Sequence, residues 1–408
     1  MYQTIDNRLN TYSLMNSQQI NKRILALDIL RGITIAGMIT VNNPGSWAHI
    51  YAPLRHAEWN GLTPTDLVFP FFMFIMGIST YISLKKYDFT FSRAAAMKIL
   101  KRTVLIFLIG MGIGWFSRFC YYWASAPDDL SFGENLWASV WTFDRTRILG
   151  VMQRLALCYG ATSIIALTMK HKHIPYLIVT LLAGYFILLM CGNGFAYNET
   201  NILSVVDRAI LTPAHMYKDN GIDPEGILST IPSIAHVLLG FCVGRLMLDG
   251  NKSADRESFL NSQLITLFLT GVILTFAGFL LSYGCPINKK IWSPTYVLAT
   301  CGLASSFLAL LIWIIDVKGA RRWSMFFEAF GVNPLFMYVL GGVLSILFGS
   351  IRFPWADGSI SIHGFLYKIV FMPVFGETGG SLAYALLFIA INWCIGYQLY
   401  KRKIYIKI

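Results

Sequence analysis

Charge is what this chain has least of. Asp, Glu, Lys and Arg make up 13% of its 408 residues, against 55% hydrophobic residues. A soluble globule carries roughly a quarter charged residues, so a water-soluble enzyme, a disordered chain and a fibrous repeat are excluded. Metal-ligand spacing is missing too. The seven cysteines, at 120, 158, 191, 242, 285, 301 and 394, form no CxxC and no Cys/His pattern, and most lie in or beside apolar runs. There Cys serves as a small hydrophobe, and no metal is expected. Gly-rich phosphate loops of the Walker or Rossmann type are absent, as are internal repeats and a separate soluble domain. No cleavable signal is visible, because about 25 polar residues precede the first apolar run, too many for an n-region.

What the chain has instead is apolar length. Roughly twenty apolar residues cross a bilayer as a helix. Ten such runs are present, at 26–44, 64–84, 94–116, 147–169, 175–193, 227–248, 261–283, 294–315, 325–348 and 380–400. The expected fold is all-α: a polytopic transmembrane bundle of about ten spans. Residues 1–24 form a cytoplasmic N-terminal segment and 25–408 a single transmembrane domain. The net charge of +12 is distributed by loop. Of 33 Lys and Arg, 21 fall in the loops joined to both termini, among them Arg8, Lys22, Arg23, Lys252 and Lys407. Ten fall in the alternate loops, including Lys218, Lys289 and Lys290, while Arg31 and Arg154 sit within helices. This bias predicts N-in and C-in, and reads the basicity as topology, with no nucleic-acid partner. The outer loops, about 44–63, 118–146, 195–226 and 349–379, are long and rich in aromatics such as Tyr121, Tyr122, Trp123, Trp137 and Trp141. Loops of that length suit a substrate vestibule. Segment 363–375 is amphipathic enough to lie in the interface. Asn333 and Pro334 predict a helix kink, and Asn392 an interhelical hydrogen bond.

Ionisable groups inside a membrane are costly, which makes each a functional candidate. Asp28 and Arg31, three apart, can pair on one helical face near the inner surface. His56 lies in an outer loop near Trp59 and Asn60, ten residues before Asp66. Imidazole both accepts and returns a proton near neutral pH, and a neighbouring carboxylate or amide can fix its tautomer. The alternative is a merely interfacial histidine. Asp66 is either that partner or the N-cap of the second helix. Asn42 and Asn43 end the first helix, where an amide can hold a carbonyl or oxyanion. Gln153 and Arg154 fall two turns inside the fourth run, about 10 Å below the outer surface at roughly 1.5 Å per residue. Glu225, ahead of the sixth run, either holds an ammonium or biases a helix N-terminus. His171 and His173 read as a solvated inner loop, and His236 as hydrogen-bonded packing, with a proton relay as the alternative. His215 and His363 are outer-loop residues with no evident partner.

The string RHAEWNGLTPTDLVFPFFMFIMGIS at 55–79 resembles the signature of the heparan-α-glucosaminide N-acetyltransferase family, which are transmembrane acyltransferases. Blocks similar to the family follow at 147–159, 223–234, 287–297, 316–319 and 399–408. The resemblance implies transfer of acetyl from cytosolic acetyl-CoA, across the membrane, to the amine of a terminal glucosamine or related amino sugar. It places the active-site histidine at His56, as base or as acetyl carrier, the partner asparagine at Asn42 (with Asn43 as the alternative) and a carboxylate at Asp66. Arg154 then either polarises the thioester, pairs with Asp66 or ties helices together. Asn43, Trp59, Asn60, Gln153, Arg154 and Glu225 are candidates for the substrate site. Acetyl-CoA carries phosphates that want Arg and Lys. Arg31, Lys101, Arg102, Arg245, Lys318 and Arg321 are candidates to hold it, the alternative being ordinary positive-inside charge. The implied setting is a bacterial inner membrane, with lipid around the protein, a site opening to the periplasmic side, and a homodimer. Two other readings remain at this point: a polytopic transporter of a small polar solute, against which stands the lack of an internal repeat, and an acyltransferase for a different envelope acceptor.

Overall fold

The computed structural model describes residues 24–125, 130–217, 219–249, 256–356 and 358–406. Arg8, Lys22, Arg23, Lys218, Lys252, Lys407 and nearly all of segment 1–24 lie outside the described residues. Each of the ten apolar runs falls on a helix. In chain order these are α1 (Leu25–Val41), α2 (Thr65–Lys85), α3 (Arg93–Ala124), the short α4 (Phe132–Val140), α5 (Val151–Thr168), α6 (Ile174–Cys191) and the short α7 (Ile202–Leu211). There follow α8 (Thr230–Asp249), α9 (Arg256–Leu281), α10 (Pro294–Ile312), α11 (Met325–Val332), α12 (Pro334–Ser350) and α13 (Met372–Lys401). Among the described residues eight helices are long and apolar enough to cross a membrane, or nine if α11 and α12, bent by 90°, form one span, fewer than the ten expected. The bend falls at Asn333 and Pro334, where the sequence expects it, because proline lacks the N–H that would continue the ladder. α1 has 17 residues, about 26 Å at roughly 1.5 Å per residue. Eleven of them are buried, as befits a helix that is apolar all round and enclosed by protein.

α2, α5, α8 and α10 are mostly buried, while α3 and α9 expose most of their length. α1 lies against α2, α11 and α12, α2 against α8, α3 against α5, and α9 against α10. The α2 and α8 crossing is set by two glycines. A Cβ on Gly77 would run into the Val237 carbonyl, and one on Gly240 into the Phe74 carbonyl; small residues of this kind let membrane helices approach backbone to backbone.

Three expectations need correcting. The segment 118–146 is not an open loop: α3 continues to Ala124, and α4 begins at a capping box of Ser131 and Glu134. That motif satisfies two helix-end donors at once and so starts a helix in a short polar stretch. The segment 349–379 holds a two-stranded antiparallel hairpin, β1 (Arg352–Trp355) paired with β2 (Gly358–Ser361), the one departure from an all-α chain among the described residues. It then enters a helical run, Ile362–Lys401, broken at Gly376 (φ +71°), which takes in 363–375. Finally, Asn392 donates to Phe388 O of its own helix at 2.9 Å, not to a neighbouring helix.

Candidate active site

Asp66 is the fixed point of the site. It lies in the first turn of α2 and is fully buried. Its Oδ1 is 2.6 Å from His56 Nδ1, while Oδ2 accepts from the Ala57 and Thr63 N–H groups (3.1 and 3.2 Å) and the Thr63 hydroxyl (2.9 Å). Pro64, not Asp66, is the N-cap residue, so the carboxylate serves as the histidine's partner and reaches back over the helix start. A carboxylate that can only accept makes Nδ1 the donor, which leaves Nε2 as the basic nitrogen. The helix below is shaped for this position. Pro70 has no N–H to give the Asp66 carbonyl four residues earlier, and the Tyr296 hydroxyl of α10 donates to that carbonyl at 2.7 Å. His236 packs as expected, its Nε2 on Pro70 O at 2.9 Å.

The loop carrying His56 is tied to distant chain. Trp59 Nε1 donates to Phe195 O (2.9 Å), Asn60 Oδ1 accepts from Asn288 Nδ2 (3.1 Å), and Gly61 N–H donates to Ile287 O (2.8 Å). Trp59 also stacks on Tyr197 with ring centroids 4.5 Å apart. Lys290 binds the Tyr197 hydroxyl at 2.6 Å and Asp219 at 2.7 Å. Its neighbour Lys289 enters the site itself. Lys289 Nζ lies 3.0 Å from His56 Nδ1, 3.5 Å from Nε2 and 3.4 Å from Asp66 Oδ1. Sequence reasoning missed this residue, because a lysine in a connection between apolar runs counts there as topology; the only signal was its place in the 287–297 block.

A second charged cluster flanks the first. Arg147 binds Asp223 through two nitrogens and Glu225 at 2.6 Å, with its guanidinium 4.9 Å from the Tyr217 ring centroid. Burial alone would raise the Glu225 pKa, but Arg147 and then Arg154 more than offset it and hold the carboxyl below its usual range. Glu225 is thus engaged by Arg147, and α8 starts only at Thr230, so it does not act at that helix N-terminus. Arg154 differs from expectation as well. Helix α5 begins at Val151 after an extended Gly150, which puts Gln153 and Arg154 in its first turn. Both are buried; the guanidinium donates to Gly226 O (3.2 Å) and Ser229 Oγ and lies 5.2 Å from the Trp292 ring centroid, and no hydrogen bond joins it to Asp66.

Asp207 on α7, a short helix between spans, is buried near this cluster and uses Oδ1 to accept from Ile227 N–H at 2.8 Å. Burial, with Asp223 adding to it, pushes its pKa up to about 6. A carboxyl raised above its unfolded value binds more protons in the folded state. Its stabilising share is therefore present below about pH 4 and lost as the pH rises through about 6. Asp207→Asn keeps the acceptor and removes the buried charge. The variant is expected to be more stable at pH 7 by about 1–3 kcal/mol and to lose less stability between pH 4 and pH 6.5, as read by thermal unfolding in detergent.

The remaining candidates are placed apart. Asn42 is exposed at the end of α1, and Asn43 turns its amide back onto Ile39 O at 2.7 Å; no hydrogen bond joins either to His56 among the described residues. Arg31 binds Asp28 and Ser79, each at 2.8 Å. Arg102 lies 4.7 Å from the Tyr159 ring centroid, Lys318 5.2 Å from that of Trp313, and Arg321 pairs with Asp316 at 3.8 Å. Lys101 is exposed on α3. Of these basic candidates, Arg245 alone lines the groove of ≈ 510 Å³ that also has Lys170, His171 and Lys172 in its wall. His171 is therefore more than loop, with Phe89 and Phe241 edge-on to its ring. His215 and His363 do have partners, the carbonyls of Thr146 (2.8 Å) and Pro44 (3.3 Å).

Comparison with known proteins bears on this geometry. The family description "Heparan-alpha-glucosaminide N-acetyltransferase, catalytic" matches residues 23–272. The heparan-alpha-glucosaminide N-acetyltransferase of Homo sapiens is 28% identical over 374 residues, covering 78% of this chain and 52% of its own length. That of Mus musculus is 26% identical over 450 residues, covering 95% of this chain and 60% of its own. The chain thus spans little more than half the length of these relatives.

Proposed function

We propose, since this chain belongs to the heparan-alpha-glucosaminide N-acetyltransferase family, that it is a membrane-embedded acetyltransferase moving acetyl from acetyl-CoA to the amine of a terminal glucosamine or related amino sugar. The observation that carries this reading is the His56 ring, held at Nδ1 by a buried carboxylate while its side chain remains 39% exposed. Such a ring offers Nε2 to an arriving amine. An ammonium is no nucleophile, so a base must take its proton before the nitrogen attacks the thioester carbonyl. Collapse of the tetrahedral intermediate expels the thiolate of CoA, which takes up a proton in turn. His56 serves this exchange either as base in direct transfer or as transient acetyl carrier through Nε2. Asp66 holds the ring and offsets the charge that the imidazolium gains.

The donor's phosphates are assigned to the groove of Arg245, Lys170, Lys172 and His171. It lies at the end of α8 where Lys85, closing α2, pairs with Asp249 at 2.6 Å. Asp66 is at the other end of α2, 21 residues and about 30 Å away. The two substrates would therefore enter from opposite faces. In this reading the chain makes ten spans with both termini on the cytosolic side, in a bacterial inner membrane, and the Trp59 and Tyr197 stack offers an apolar ring face to the acceptor sugar.

The test is direct. Purified protein incubated with acetyl-CoA and glucosamine, or a glucosamine-ended oligosaccharide, is expected to release CoA thiol in step with acceptor acetylation. Absence of thiol release across a screen of amino-sugar acceptors, under conditions where an unrelated acetyltransferase is active, would overturn the assignment. A screen won by another amine would move only the acceptor.

A further inference from the structure

Two charges compete over one imidazole in this site. An anion at 2.6 Å, Asp66, favours the imidazolium. A histidine that stays protonated cannot accept a proton from a substrate, so a dyad of His56 and Asp66 alone works against the base it orients. Lys289 is placed to oppose that effect. The two nitrogens of a ring lie on different edges, yet Lys289 Nζ is within 3.5 Å of both. It therefore lies across the ring face and not along either lone pair. There it leaves the Nδ1 hydrogen bond to Asp66 in place and leaves Nε2 open. A positive charge at that distance disfavours a second one on the ring.

We propose that Lys289 is a positioning residue whose cation, laid on the face of His56, keeps the imidazole neutral against the pull of Asp66. The other charged and titratable groups around the pair are Lys290 on the same loop, Glu225 with its partner Arg147, and, deeper, Tyr296 and Arg154. The lysine side chain is 20% exposed, and burial moves its ammonium pKa downward although Asp66 and Glu225 pull it up. Arginine, which keeps its charge under burial, is therefore the conservative replacement.

This inference rests on His56 as the base, and its test reads the ring without acyl transfer. Diethyl pyrocarbonate acylates neutral imidazole only, so the rate of modification of the His56 peptide, followed by mass spectrometry against pH, reports the neutral fraction. In Lys289→Met and Lys289→Gln the acid limb of that curve is expected to move up by about one pH unit, with the acid limb of kcat/KM moving alongside. Lys289→Arg should restore both. Curves for Met and Gln that overlay the parent, or an Arg variant displaced as far as Met, would overturn the proposal. Loss of rate at every pH without displacement of either limb would reduce Lys289 to a structural contact and equally overturn it. Failure of the catalytic reading looks different: His56→Ala would keep its turnover whatever the modification curves do.

Discussion

His56→Ala is expected to lower kcat/KM for acetyl transfer by ~10²–10⁴-fold, the usual worth of a positioned acid or base, with the protein still folded. Little of the fold depends on this ring. It sits in a loop, its side chain is 39% exposed, and Asp66 keeps three other donors from Ala57 and Thr63 when the imidazole is removed. Those donors hold Oδ2 while Oδ1 loses its histidine partner, so stability should fall by about 1–3 kcal/mol. The rate is checked by thiol release and the fold by thermal unfolding of the same sample. His56→Gln should behave like Ala, because an amide can bond Asp66 but cannot take a proton. A variant retaining a tenth or more of the parent rate would remove His56 from the reaction. Rapid-quench mass spectrometry of the parent protein separates the two routes: mass gain of one acetyl on the His56 peptide marks the two-step path.

Arg147→Met should be the most destabilising single change among the charged side chains around the site, by about 3–5 kcal/mol. Asp223 is fully buried and Glu225 nearly so, and Arg147 is the cation bonded to both. Methionine matches the length and leaves two carboxylates with their charge and without its counterpart. Lysine should rescue only in part, since a point charge cannot reproduce the forked contact with two acids. The pH dependence follows from the lowered pKa of Glu225. A carboxyl depressed on folding contributes stability above its unfolded value, near 4.5, that is lost as the pH falls through the folded value. Below about pH 4.5 the parent should thus lose this contribution, and Arg147→Met, which has less of it to lose, should show the shallower acid slope. Thermal unfolding from about pH 5 down to about pH 3 checks both slopes.

The helical framework was legible because apolar length and the proline at 334 act locally, so the apolar runs fall on helices, although eight or nine of the described ones, not ten, are long and apolar enough to cross a membrane. His56 and Asp66 were legible for a related reason: polar groups at the edge of an apolar run stand out, and ten residues are few enough to suggest an encounter. Lys289 was not, since its contact with His56 spans 233 residues and nothing in its own neighbourhood distinguishes it from Lys290. Arg154 was visible as a buried charge; of the roles open to it, a hydrogen bond to Asp66 is not formed, whereas a tie between chain segments is. Its partners lie in the segment before α8, and an extended Gly150 delays the start of α5. The short helices α4 and α7 and the hairpin escaped because their signals are caps and turns a few residues long, easily outweighed by the long apolar periods on either side.

The loop from Trp59 to Gly61 is fastened at three successive residues to chain more than a hundred positions away. Its conformational freedom is surrendered once, as the protein folds, and is not demanded again at each turnover. An acceptor should meet a surface already in its working shape, with association governed by diffusion and desolvation, and with little of its binding energy diverted to freezing backbone.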